Sequence, residues 1–133
     1  MLHRSSVHAT QFFEFLLDIV NHAVRGQTID LSPAFIEPVA SDDVAATIAR
    51  VAVDTPLNGS LEIAGPERAR MSELIQRFVL DIEAPYEVRT RADATYFGAV
   101  LDESVLLPRA DAERGTLGFE AWRDLSEYAR ADW

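Results

Sequence analysis

The chain has 133 residues, 48% of them apolar and 26% charged, the make-up of an ordinary globular protein with material for one core. It contains no cysteine and no lysine, which excludes disulfides, thiolate nucleophiles, cysteine-based metal sites, a Schiff base and a phosphate-loop lysine. A formal net charge of −10 repels a phosphate backbone, so nucleic acid is not expected as a partner. No apolar run approaches the roughly 18 residues of a membrane span, and no apolar core follows Met1-Leu2-His3-Arg4 as it would in a signal peptide. With cysteine absent as well, a cytoplasmic address is expected.

In chain order, residues 1–9 are polar and short and read as a lightly ordered entry. From Thr10 the pattern becomes helical, with Phe12, Phe13, Leu16, Leu17, Val20 and Val24 at spacings of three and four, and Gly26 placed to stop the helix. Gln27–Leu31 alternates around Ile29 and Leu31 and predicts a short strand. Phe35–Val39 is a second extended run, confined to an edge or a strand end by Pro38, which cannot donate to a ladder. Ser41-Asp42-Asp43 supplies an N-cap and first-turn carboxylates for a helix with Val44, Ile48, Val51 and Ala52 on one face.

The proline and Asn-Gly pair of 54–59 predict a turn, and Ser60–Ala64 a half-buried strand ended by Gly65-Pro66. Ser72 is placed to cap a helix striped with Leu74, Ile75, Phe78, Val79 and Ile82. Glu87–Thr90 reads as a further strand with Val88 inward. Ala94–Leu101 is apolar and ambiguous, and 108–118 is loop-like. Phe119–Tyr128 closes the chain as an amphipathic helix with Phe119, Trp122, Leu125 and Tyr128 on one side. Short strands alternating with about four helices predict an α/β fold with mostly parallel strands, organised as a single domain over 1–133.

The chemical motifs are sparse. A dinucleotide fingerprint needs three spaced glycines after a strand; Gly115-Thr116-Leu117-Gly118 lacks the third glycine and the preceding strand, so it reads as a turn. Asp42 and Asp43 are adjacent on a helix, point about 100° apart and read as helix-end carboxylates. Glu14, alone among Phe12, Phe13 and Phe15, is the weak candidate for an acid or base, against the plainer reading of a solvent-facing helix position. His3, His8 and His22 lack metal-ligand spacing, and Ser5 and Ser6 lack a nucleophile elbow, so neither a metal site nor a serine nucleophile is expected. Gly65-Pro66-Glu67-Arg68 joins a strand's end to a helix, the place where open α/β folds bind ligands and also a place where turns need Gly and Pro.

Three segments carry a family resemblance: Ala9-Thr10-Gln11-Phe12-Phe13-Glu14-Phe15, Ile36-Glu37-Pro38-Val39-Ala40-Ser41-Asp42-Asp43-Val44-Ala45, and Asn58-Gly59-Ser60-Leu61-Glu62-Ile63-Ala64-Gly65-Pro66-Glu67. Together they resemble the C-terminal, substrate-binding half of the atypical short-chain dehydrogenase/reductases, the NmrA-like NAD(P)-binding proteins. His8 departs from the arginine usual before the Ala-Thr-Gln run. The resemblance implies an incomplete Rossmann-type fold in which the N-terminal nucleotide-binding half, with its glycine fingerprint, is absent. It places Thr10, Gln11, Phe12, Phe13, Phe35 and Pro38 near substrate or cofactor. It also implies no cofactor for this chain alone, though the full-length family uses NAD(P), and no independent redox activity. Uncovered sheet edges would then be buried in a homodimer or against a complementing chain. Phe12, Phe13, Phe35 and Tyr96 would favour an apolar small molecule. The alternatives are a non-catalytic small-molecule-binding or protein-interaction module derived from the same fold, and a small standalone enzyme using Glu14.

Overall fold

The computed structural model describes residues 5–53 and 59–125, and within them the chain is an α/β protein with four helices and short strands whose longest ladders are parallel. This is the arrangement of a partial Rossmann-type fold. Strand β1 (Ser5–Ala9) runs parallel to β5 (Gly59–Ala64) in the register Ser5 to Gly59 through Ala9 to Ile63. The two-residue strand β10 (Glu113–Arg114) adds to the other side of β5, also parallel, so the expected loop 108–118 contains a strand and Gly115 does follow one, which only the pairing with Ile63 and Ala64 defines. Residues 5–9 are therefore a sheet strand, where composition predicted a loose entry. The strand is short and polar, and only its pairing with a partner some fifty residues away defines it.

A second sheet has the order β2 (Val24–Arg25), β3 (Thr28–Leu31), β7 (Glu87–Thr90), with β3 and β7 parallel. The alternation read in the sequence holds here, since Ile29 and Leu31 are buried. Two small antiparallel pairs complete the strands: β4 (Phe35–Ile36) with β6 (Ala69–Arg70), and β8 (Thr95–Tyr96) with β9 (Ala99–Val100). The ambiguous run 94–101 is thus a hairpin. Its two turn residues, Phe97 (φ 48°) and Gly98 (φ 89°), are both left-handed, the backbone that closes a two-residue hairpin.

The first helix is shorter than its periodicity predicts. Thr10–Phe12 remain extended, Phe13–Phe15 form a 3-10 turn, and α1 covers only Leu16–Ala23. Val24 leaves the helix to pair with Ile29, so Gly26 (φ 62°) turns the β2–β3 hairpin and does not cap a helix. The run Phe35–Val39 is likewise a strand only at Phe35–Ile36; Val39 instead bridges in parallel to Phe12.

Helix α2 (Ser41–Val53) buries Val44 and Thr47 and half-buries Val51, so two of the four residues of the predicted face turn inward, while Ile48, 51% exposed, and Ala52 turn out. Helix α3 (Met71–Asp81) starts two residues before a Ser72 cap would allow. Arg70 stands at its N-cap without a side-chain capping bond, and Ser72 Oγ is buried with no hydrogen-bond partner among the described residues. Leu74, Ile75, Phe78 and Val79 of the predicted stripe are buried, while Ile82 is the C-cap residue beyond the helix and half-buried. Helix α4 (Phe119–Leu125) buries Phe119 and Trp122 and leaves Leu125 64% exposed. Of the expected turn at 54–59, residues 54–58 lie outside the described residues, as does Tyr128, and Gly59 already belongs to β5.

The main core joins α1, α3, α4 and the β3 strand through Phe13, Leu16, Ile19, Val20, Ile29, Leu31, Ile75 and Phe78. Phe13 stacks on Trp122 at 5.3 Å between centroids and tilts against Phe119 at 6.1 Å, which draws α4 onto the start of α1. A smaller core under the first sheet holds Val39, Val44 and Ile63 with Val7 packed against it.

Candidate functional site at the carboxyl ends of β1 and β5

Four segments meet where β1, β5 and β10 end. Thr10 N–H donates to Ile63 O (3.1 Å), and the Thr10 hydroxyl donates to Glu37 O (2.6 Å). Gly65 N–H donates to the same carbonyl (3.0 Å). Val39 N–H donates to Gln11 O (2.9 Å), and Phe13 N–H donates to Val39 O (3.0 Å). The carbonyl of Glu37 thus gathers β1 and β5, and the backbone of 37–39 continues the first sheet past its last strand residues. The Pro38 nitrogen has no hydrogen to offer, and its neighbours Glu37 and Val39 carry the pairing around it.

The side chain of Glu37 is only 5% exposed. Arg68 Nε donates to Glu37 Oε1 (3.1 Å) and Arg114 donates to Oε2 (2.5 Å); Arg114 also donates to Gly65 O (3.2 Å). A buried carboxylate needs such pairing, because desolvating an unpaired charge costs several kcal/mol. Arg68 and Arg70 lie over the Phe35 ring, 5.8 and 4.3 Å from its centroid. Arg70 is anchored to Glu103 and Pro33 O.

Two further carboxylates shape the 115–119 turn. Asp43 accepts from Thr116 N–H, the Thr116 hydroxyl and Leu117 N–H, each at 3.0 Å. Glu67 accepts from Phe119 N–H (2.9 Å) at the start of α4. The two glycines of Gly115-Thr116-Leu117-Gly118 are the points of closest approach. A Cβ at Gly115 would meet Asp43 Oδ2 at 2.6 Å, and one at Gly118 would meet Glu67 Oε1 at 2.1 Å. The amides that a glycine-rich loop can offer a phosphate are here given to the protein's own carboxylates.

Of the residues expected near a ligand, Thr10, Gln11, Phe12, Phe13 and Pro38 are brought together by the Phe12–Val39 bridge, with Phe35 reached through Arg68. Their exposures differ. Phe13 and Pro38 are buried, Phe35 is half-buried, and Phe12 is exposed. Gln11 Oε1 is buried with no hydrogen-bond partner among the described residues. Tyr96 is in the β8–β9 hairpin, edge-on to Phe97 and packed against the main core, and burial raises its phenol pKa. Glu14 sits at the N-terminus of α2. It accepts from the Ser41 amide (3.2 Å), the Ser41 hydroxyl (2.8 Å) and Trp122 Nε1 (3.1 Å). It therefore joins α2 to α4 and offsets the positive end of the α2 dipole. Ser41 gives its hydroxyl to Glu14 and is the first residue of the helix.

The space beside these groups is small. A cavity of about 70 Å³ lies between Phe13, Pro38, Arg68, Leu74, Arg77 and Phe119. That is room for a few waters and well short of the roughly 300 Å³ of ordinary ligand pockets. No cluster of three or more metal-binding side chains occurs among the described residues. No described helix is long and apolar enough to cross a membrane. Comparison with family models, with curated proteins and with solved structures finds no match.

The roles of Glu37, Asp43 and Glu67 were not read from the sequence. The one available signal was Glu37 itself, a lone acid inside the apolar run Phe35–Val39. Its partners, Arg68 and Arg114, lie 31 and 77 residues away.

Proposed function

We propose that this chain is the substrate-binding half of an NmrA-like NAD(P)-dependent reductase, cytoplasmic and without redox activity of its own, and that it associates with a second copy or with a complementing chain. The observation that supports this most is the open side of the first sheet. Among the described residues β1 has a partner only on its β5 side. Parallel strands are rarely left uncovered, because the connections between them place helices on both faces and further strands at the edge. Helix α2 packs against β1 and turns an apolar stripe outward: Ala45, Ile48, Ala49 and Ala52, at helical spacing, are all exposed. A parallel strand with one open edge, covered on a face by a helix whose outer stripe is apolar and exposed, is what remains when a doubly wound sheet lacks its neighbouring strands.

The assignment of the substrate side rests on Thr10, Gln11 and Phe12 at the carboxyl end of β1, where open α/β sheets bind ligands. The small cavity supports a site completed by the associating chain, with the exposed Phe12 favouring an apolar or aromatic molecule. The sequence has neither a complete glycine fingerprint nor a lysine, which supports the lack of independent hydride chemistry.

Sedimentation velocity of the purified chain at micromolar concentration is expected to give a dimer of the 14.8 kDa polypeptide. Ile48→Asp, placed in the middle of the exposed stripe, should convert it to a folded monomer. A monomeric parent, or a dimer indifferent to Ile48→Asp, would remove the α2–β1 edge from the proposal. Calorimetric titration with NADPH and NADH should give no saturable heat, whereas micromolar binding to the chain alone would show that it carries a cofactor site and overturn the half-enzyme assignment.

A further inference from the structure

A second cleft, of about 250 Å³, lies on a different part of the molecule, between α1 and the loop joining α3 to β7. Its floor is Val20, which is buried. Leu17 from α1 and Ile82 and Ala84 from the loop are half-buried and form apolar walls, as does the ring of Tyr86. Two polar side chains, both exposed, stand at the rim: Asn21 and Glu83. No basic residue is part of the lining.

The backbone at Glu83 is unusual. After α3 the chain turns with Glu83 N–H donating to Leu80 O and Ala84 N–H donating to Val79 O, both at 3.1 Å, and Glu83 takes φ 55°. Helices commonly end with one left-handed residue of this kind, and glycine fills the position without steric cost. Here the position carries a carboxylate instead, held at the lip of an apolar cleft. Strained backbone at a cleft directs attention to the side chain it displays.

We propose that this cleft binds a small molecule with an apolar body and a protonated amine, the body lying on Val20, Leu17 and Ile82 and the ammonium against the Glu83 carboxylate, with the Asn21 side chain as a second polar contact. The charge pattern selects the occupant. An apolar wall alone would accept neutral and anionic molecules of the same shape, but the one charged group in the lining is negative, and a chain of net charge −10 repels anions. The volume suits a single aromatic ring with a short chain. The site is independent of the carboxyl ends of β1 and β5 and does not rest on the reductase assignment.

The test is a backbone-amide NMR titration of the intact chain with 2-phenylethylamine, compared with 2-phenylethanol and phenylacetate. Saturable shifts are expected at residues 17–21 and 82–86 with the amine. The alcohol should bind about fivefold more weakly, the upper range for losing an exposed ion pair, and phenylacetate should not bind. Glu83→Gln should bring the amine down to the affinity of the alcohol, and Glu83→Gly should do the same while raising the melting temperature by relieving the left-handed backbone. Equal affinity for amine and alcohol, amine binding unchanged in Glu83→Gln, shifts confined to other parts of the chain, or no saturation at millimolar amine would each overturn the proposal.

Discussion

Gly65→Ala tests whether the strand ends are as tightly sewn as the hydrogen bonds indicate. A Cβ built on Gly65 would lie 1.6 Å from the Pro38 carbonyl oxygen and 2.6 Å from its carbon. Ordinary contact begins near 3.4 Å, so one of the two backbones must retreat by nearly 2 Å. Neither can do so freely. Gly65 N–H is bonded to Glu37 O, Thr10 Oγ1 is bonded to the same oxygen, and Arg114 bonds Gly65 O while pairing with the buried Glu37 carboxylate. Losing these three hydrogen bonds at about 1 kcal/mol each, with partial exposure of the Glu37–Arg114 pair, gives a loss of about 4 kcal/mol. With a urea m-value of about 2 kcal/mol per molar, the unfolding midpoint should fall by about 2 M. Gly26→Ala is the control. Its Cβ would meet nothing within 4 Å, and only its φ of 62° opposes alanine, at a cost of about 1–2 kcal/mol. A Gly65→Ala variant within about 1 kcal/mol of the parent by urea unfolding, or less damaging than Gly26→Ala, would refute the reasoning.

Other outcomes follow from the same geometry. Arg114→Ala leaves Glu37 to Arg68 alone and should cost about 2 kcal/mol, moderated because Arg114 is partly exposed; the Arg68/Arg114 double substitution should cost more than the sum, because the carboxylate is then buried unpaired. Additive losses in equilibrium unfolding would show that Glu37 does not depend on the pair. Asp30 is held below the ordinary carboxylate pKa by its hydrogen bonds from Arg89, which tie β3 to β7. A depressed folded-state pKa adds stability that is fully present above the unfolded value near 4 and is lost as the pH falls through the folded value. Asp30→Asn should therefore destabilise at neutral pH and cease to do so at the acid end. A destabilisation independent of pH would sink that account.

The parts of this chain that could be read from the sequence are those decided by near neighbours. Alternation put Ile29 and Leu31 inward, and the stripe on α3 buried Leu74, Ile75, Phe78 and Val79, because period and burial there are properties of one element. The α/β class followed from the order of such elements. Ser5–Ala9 carries little local signal, and its identity as a strand comes from the β5 ladder alone. The same holds for the helix start. Thr10–Phe12 has helical periodicity, yet its backbone is taken by Ile63 and Val39, and long-range pairing overrides the local pattern. On α2 the apolar pattern puts Val44 and Val51 inward correctly but not Ile48 and Ala52, because which side of a helix meets a sheet is set by the sheet's position.

Composition by itself excluded cysteine and lysine chemistry and set the acidic charge. Only the tertiary structure decided what the acids do. Glu37 is buried between two arginines, Glu14 caps α2 and holds the Trp122 indole, and Asp43 and Glu67 take the amides of the 115–119 turn. A carboxylate's role depends on which donors are within about 3 Å. For these four, those donors come from segments 27 to 108 residues away, a distance over which sequence spacing carries no geometric information.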